Sequence, residues 1–194
     1  MHRGRLNLKS KPDFNIIIFL VLYFVLKYGF YLYVGFTTPG GKLYFSFFGS
    51  YANFPGWLTI FVSKTSAFLL KISGYSVHQL GNANITIAGS KGVTIAWGCL
   101  GIGAISLWLG FIIAHRIRLK YKLKWITIGA AIIFAINIFR IDMIALSNYY
   151  KWSYFQNFNA HTSFDTLTYV IILGMMTIFV MRYDKKKKAI ADNV

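Results

Sequence analysis

The sequence predicts an all-α polytopic membrane protein with about four transmembrane helices, an interfacial amphipathic helix and a small extracytoplasmic β-hairpin. Three observations predict it: the apolar excess, the length of the apolar runs, and the placement of the basic residues. Of 194 residues, 56% are hydrophobic and 13% charged, against about 25% charged in an average soluble domain. A water-soluble fold of this size has no interior large enough to hide that much apolar surface.

The first long apolar run is 14–36, whose only charge is Lys27. About 20 residues span a bilayer, so this block reads as a helix. It is too long for a signal-peptide core and no small-residue cleavage site follows it, so it is expected to be retained.

The stretch 37–96 then reads as an extracytoplasmic cap. Within it, 57–72 is apolar but interrupted by Ser63, Lys64, Thr65, Ser66 and Lys71, with the two lysines seven apart on one helical face. That pattern predicts an amphipathic helix lying in the interface or re-entering it. Further on, 84–97 reads as a hairpin. Asn84 to Ala88 and Val93 to Trp97 alternate, and Gly89, Ser90, Lys91 and Gly92 supply the turn.

Three more apolar runs, 97–114, 125–146 and 164–181, read as spans because backbone polar groups in lipid must be satisfied within the segment. They are separated by a short loop at 115–124 and an outer segment at 148–163. Fourteen of the 21 Lys and Arg residues fall in three clusters, at 1–13, 115–124 and 182–194. Short cytoplasmic loops collect such residues, so all three clusters belong on one side. Four crossings satisfy that parity, whereas a spanning 57–72 would break it.

The same topology, with contact to anionic lipid headgroups, accounts for the net charge of +16. No folded basic patch is left over for nucleic acid, and no nucleic-acid partner is expected.

Cys99 is the only cysteine, which excludes an internal disulfide, a CxxC redox pair and a multi-cysteine metal site. A packed thiol and a nucleophile remain. Its position at the outer end of a helix, among unpaired amides, favours the thiolate. Arg140 is costly inside an apolar helix, by about 2.5–3.5 kcal/mol at the centre, so it either faces protein or snorkels to outer headgroups. Counting from Trp125 puts it about 22 Å up, in the layer of Cys99. Asn137 shares its face at i−3, whereas Asp142 at i+2 points elsewhere.

Of four histidines, His2 falls in the basic N-terminal segment and His115 lies about 24 Å along the helix from Cys99. His78 and His161 remain on the outer side. His161 carries Asp165 four residues on, placed to orient an imidazole if that helix starts early. Interfacial packing is the alternative for His161. Asp165 has the plainer alternative of satisfying free amides at a helix N-terminus, beside Ser163 and Thr166.

These residues resemble the exosortase and archaeosortase family of membrane cysteine transpeptidases, whose pattern is a Cys before a Gly-containing turn, an Asn-x-x-Arg helix, and a His. Here they stand as Cys99-Leu100-Gly101, Asn137-Ile138-Phe139-Arg140 and His161. The resemblance covers Ile85 to Met181. Leu100 replaces the small polar residue of many members, and the chain has fewer spans than the larger ones. The resemblance implies a cytoplasmic-membrane enzyme with Cys99, Arg140 and His161 catalytic and Asn137, Gly101 and Asp165 supporting, acting without a cofactor or metal. Its partners would be membrane-anchored proteins with a C-terminal sorting signal of short motif, hydrophobic helix and basic tail.

A non-catalytic membrane scaffold, with structural Cys99 and Arg140, is the competing class. No Gly-x-Ser-Gly context supports an intramembrane serine protease, and four spans without a repeat make a poor transport path.

Overall fold

The computed structural model describes residues 14–152 and 160–191, the side chains of the second stretch being described from 164 to 184. Helix α1 spans Ile16–Thr37. Asn15 caps it, its Oδ1 accepting from the amides of Ile17 and Ile18 at 3.0 and 3.1 Å, which satisfies two of the donors a helix start leaves unpaired. A short helix α2 (Ser46–Tyr51) and helix α3 (Phe54–Ile72) follow.

Next come strands β1 (Val77–Leu80), β2 (Asn84–Ile87) and β3 (Val93–Thr94), a 3-10 turn (Trp97–Leu100), and helices α4 (Ile102–Ala114), α5 (Leu119–Tyr150) and α6 (Ala160–Ala191). Among the described residues, three stretches are long and apolar enough to cross a membrane: Ile16–Thr37, Leu119–Tyr150 and Phe164–Asp184.

The expected span 97–114 is α-helical over only part of its length. Its helical part has 13 residues, about 20 Å at 1.5 Å per residue, against about 30 Å of hydrocarbon. It is the interior helix of the bundle, with Trp108 and Ile112 at 0% exposure, and α1, α5 and α6 pack around it. Gly110 lets α1 come close: a Cβ there would lie 3.2 Å from the Tyr23 backbone nitrogen and 3.3 Å from the Phe19 carbonyl oxygen. Gly129 on α5 likewise admits the Trp108 indole, whose Nε1 donates to the Trp125 carbonyl at 3.1 Å.

Ring contacts fix how these helices line up. Phe14 at the start of α1 meets His115 after α4, with centroids 4.7 Å apart. Trp125 meets Phe179 at 5.4 Å, and the Arg182 guanidinium lies 5.9 Å over the Trp125 ring. This is the basic end of the bundle. Both α5 and α6 run past their apolar blocks, α5 starting six residues before Trp125 and α6 reaching Ala191, because Lys and Arg are good helix formers.

The other end carries α3 and the sheet. The expected hairpin exists but gains a third strand: the order is β1-β2-β3, antiparallel, with Val77 opposite Ile87 and Ile85 opposite Val93. Strand β3 stops at Thr94, and Trp97 belongs to the 3-10 turn rather than to the hairpin. Ile85, Ile87 and Ile95 are buried in one core with Val62, Leu70, Ile138 and Ile141.

Helix α3 keeps the two lysines of its expected polar face, Lys64 and Lys71, exposed and buries Val62, Ala67 and Leu70, but the division is mixed. Thr59, Ser63 and Ser66 are buried, while Trp57, Phe61 and Phe68 are exposed. The inward hydroxyls have partners: Ser66 Oγ donates to an Asp142 carboxylate oxygen, and Gln79 Nε2 donates to Ser63 Oγ at 3.1 Å.

Candidate active site

The turn carrying Cys99 follows directly from β3, and its geometry rests on Gly101. That glycine adopts φ 69°, ψ 19°, the left-handed region in which a Cβ is crowded by the following carbonyl. The 3-10 turn therefore ends at Leu100, and α4 starts afresh at Ile102 in a new direction. Cys99 is half-buried, its amide donating to the Ala96 carbonyl at 2.8 Å.

Asn137, on α5, ties this turn down. Its Nδ2 donates to the Cys99 carbonyl oxygen at 2.6 Å, and the side chain is 6% exposed. A Cβ on Gly101 would sit 3.6 Å from the Asn137 Cγ, so glycine and asparagine pack face to face.

One turn further along α5, the buried Arg140 reaches α6, where its Nη1 donates to Asp165 Oδ1 at 2.6 Å. The helix register makes this pairing natural. Trp125 to Arg140 is about 22 Å along α5, and Phe179 back to Asp165 is about 21 Å along the antiparallel α6. Two helices joined at Trp125 and Phe179 therefore meet again at the ion pair. Arg140 is turned toward protein, as the first of its two sequence readings expects, and Asp142 is directed to Ser66 instead.

Asp165 departs from its plainer reading. Because α6 already begins at Ala160, Asp165 stands in the second helical turn, beyond the end's unpaired amides, and is bonded to Arg140. His161 falls on the first turn of α6, four residues before Asp165, and its side chain lies outside the described residues. Of the other histidines, His78 is exposed on β1, the strand at the far edge of the sheet from β3. His115 is buried at the basic end, its Nδ1 2.8 Å from the Phe111 carbonyl.

Between α1, α4, α5 and α6 lies a cavity of about 250 Å³. Gly98 and Gly101, which flank Cys99, form part of its wall, together with Asn137, Arg140 and Asp165. So do Lys27, Tyr31, Thr168 and Tyr169, none of which sequence reasoning placed at a site. One signal for them existed: Lys27 is the only charge in its apolar block, and an ionisable residue within a span marks a functional position by default. Among the described residues, no group of three or more His, Cys, Asp or Glu gathers as metal ligands.

The arrangement offers a guanidinium at the cavity and, on a turn whose Gly98 and Gly101 form part of the same wall, a thiol packed against the core beneath the sheet. The family model described as Transmembrane exosortase (Exosortase_EpsH) matches residues 7–180 of the chain. No curated protein and no solved structure matches it.

Proposed function

The chain belongs to the transmembrane exosortase family, and from that premise we propose that it is a membrane-embedded cysteine peptidase or transpeptidase. It cleaves the C-terminal sorting signal of secreted proteins through a Cys99 thioester. The observation that carries this reading is the convergence of the Cys99 turn, Asn137, Arg140 and Asp165 on one cavity wall.

The Cys99 thiolate attacks the scissile carbonyl, whose electron pair moves onto oxygen; Arg140 offsets that negative charge. As the oxyanion collapses, the C–N bond breaks and the departing nitrogen takes a proton from the His161 imidazolium. An acceptor amine, or water, then attacks the thioester while His161 removes its proton. The S–C bond breaks and the thiolate returns.

Asn137 and Gly101 keep the nucleophile's backbone fixed, and Asp165 keeps the Arg140 guanidinium oriented. Lipid placement contributes to selection: a substrate tethered by its own helix brings its cleavage motif to the site by diffusion in two dimensions. The reading puts the protein in the cytoplasmic membrane with the site on the extracytoplasmic side.

The test is the state of exported proteins in cells carrying wild type or Cys99→Ala. Accumulation of precursors with intact hydrophobic C-terminal segments in the variant supports the reading; identical mature C-termini in both strains overturn it. A scaffold reading draws on one specific observation, that the Asn137 and Arg140 bonds join separate elements and would tie helices together without any chemistry. It expects Cys99→Ala to be silent.

A further inference from the structure

Beyond α1 the chain turns back on itself. The Phe45 amide donates to the Phe36 carbonyl at 3.0 Å, the Phe48 ring lies 6.0 Å from Phe36 and 5.8 Å from Tyr33, and the Tyr33 hydroxyl donates to the Ala52 carbonyl. Residues 45, 48 and 52 thus meet successively earlier positions of α1, so this stretch descends along α1 toward the basic end.

Helix α3 then climbs along α5. Phe61 stacks on Phe134 with centroids 5.2 Å apart, Ser66 bonds Asp142, and Tyr75, just past the helix, meets the Tyr149 ring at 5.7 Å. Those partners stand about 14, 26 and 36 Å along α5 from Trp125. The two helices therefore run the same way, side by side. With Trp125 and the Arg182 guanidinium over its ring at one membrane surface, about 30 Å of hydrocarbon ends between Asp142 and Tyr149. The rings of Tyr75, Tyr149, Tyr150 and Trp152 cluster beyond that level, where an aromatic belt belongs. The Phe61 and Ser66 contacts lie below it.

The turn between the two arms has its polar groups paired. Asn53 Oδ1 accepts from the Gly56 amide at 2.9 Å, and Pro55 has no amide to satisfy. The Ala52 carbonyl accepts from the Phe54 amide at 2.8 Å and from the hydroxyl that α1 supplies. Non-helical backbone at membrane depth requires such partners, because lipid offers none.

The outward side is apolar. Phe54, Trp57, Phe61 and Phe68 are each more than half exposed and fall within an arc of about 60° on the helix. At the Phe61–Phe134 contact this stripe joins the surface of α5, a helix long and apolar enough to cross a membrane. The exposed Lys64 borders the stripe two residues before Ser66, close enough to the headgroup level for its long side chain to snorkel there.

We infer that residues 45–72 form a re-entrant hairpin, which dips into the leaflet opposite the basic end and presents Phe54, Trp57, Phe61 and Phe68 to lipid acyl chains. Of the two placements the sequence leaves open for 57–72, lying in the interface or re-entering, the ladder of contacts supports the second. The inference does not rest on the proposed reaction but bears on it. The buried side of α3 shares a core with Ile85 and Leu100, so the hairpin's depth sets the height at which the Cys99 turn is held.

The experiment places one nitroxide label at a time on the full Cys99→Ala chain in phosphatidylcholine nanodiscs, through Phe54→Cys, Phe61→Cys or Phe68→Cys. Two references are Phe139→Cys, at an exposed position of α5, and Lys91→Cys, in the turn between β2 and β3. Relaxation by oxygen, which concentrates in lipid, is compared with relaxation by a water-soluble nickel chelate, and the ratio reports depth.

Labels at Phe54 and Phe61 are expected to favour oxygen as the Phe139 label does, with the Phe68 label about 5–10 Å shallower than that at Phe61, and the Lys91 label to favour nickel. Equal depth at the three α3 positions describes a helix lying flat and overturns the inference. So do labels that favour nickel, which put the stripe in water, and labels shielded from both relaxants, which put protein against it. Far-UV circular dichroism identifies a variant that has not folded, and the other two positions on the same helix still give the comparison.

Discussion

Asn137 holds the nucleophile's turn by one hydrogen bond, and its removal has a calculable consequence. The side chain is 6% exposed, and its Nδ2 lies 2.6 Å from the Cys99 carbonyl oxygen. Removing the donor leaves that carbonyl without this partner, a penalty of about 1–3 kcal/mol for a buried polar group. Asn137→Ala carries this cost plus that of a small void.

Asn137→Asp separates the two causes, since it keeps the volume and exchanges the N–H donor for an acceptor. The ionised carboxylate has no proton to give the carbonyl, so its deficit persists at neutral pH. It shrinks as falling pH protonates the introduced carboxyl and restores an O–H donor; the Asn137→Ala deficit stays flat. The assay is equilibrium unfolding in mixed micelles of rising SDS fraction, followed by far-UV circular dichroism. An Asn137→Asp protein as stable as wild type at neutral pH, beside a destabilised Asn137→Ala, would show that Asn137 fills space and that the hydrogen bond does not hold the turn.

Gly129→Ala would place a Cβ 2.0 Å from Trp108 Nε1 and 2.2 Å from Cε2. The fully buried indole must shift and lose its bond to the Trp125 carbonyl, a loss of about 2–5 kcal/mol in the same unfolding assay; adding Trp108→Phe should recover much of it. Gly101→Ala meets ordinary packing at 3.6 Å from Asn137 but must hold φ 69°, costing about 1–2 kcal/mol, with Gly101→Asn milder because asparagine tolerates that region. Asp165→Asn strips the buried Arg140 of its countercharge. Breaking a buried pair costs about 3–5 kcal/mol, but Asp165 is 51% exposed, so about 1–3 kcal/mol is expected, and the double variant Arg140→Gln/Asp165→Asn should regain most of it.

The sequence alone determined what depends on local constraint. A lipid-facing helix must satisfy its backbone internally and be long enough to cross, so α1, α5 and α6 are legible as apolar runs. Alternation marked Ile85 and Ile87 as one buried face. Helical spacing put Asn137 and Arg140 together and turned Asp142 away from them.

Tertiary structure decided whatever depends on how separate elements meet. Apolarity is the same signal for lipid contact and for burial, so the run at 97–114 does not show that Trp108 lies at the centre of the bundle. The polar residues of α3 do not share one face: Lys64 and Lys71 stay exposed, while Ser63 and Ser66 turn inward to Gln79 and Asp142. Both Asp165 and His161 were compatible with the sequence as partners of one another. Only the antiparallel register of α5 and α6, fixed far away at Trp125 and Phe179, brings Asp165 to Arg140. The place of Lys27 in the same cavity follows from the close packing of α1 on Gly110, a contact no one-dimensional pattern encodes.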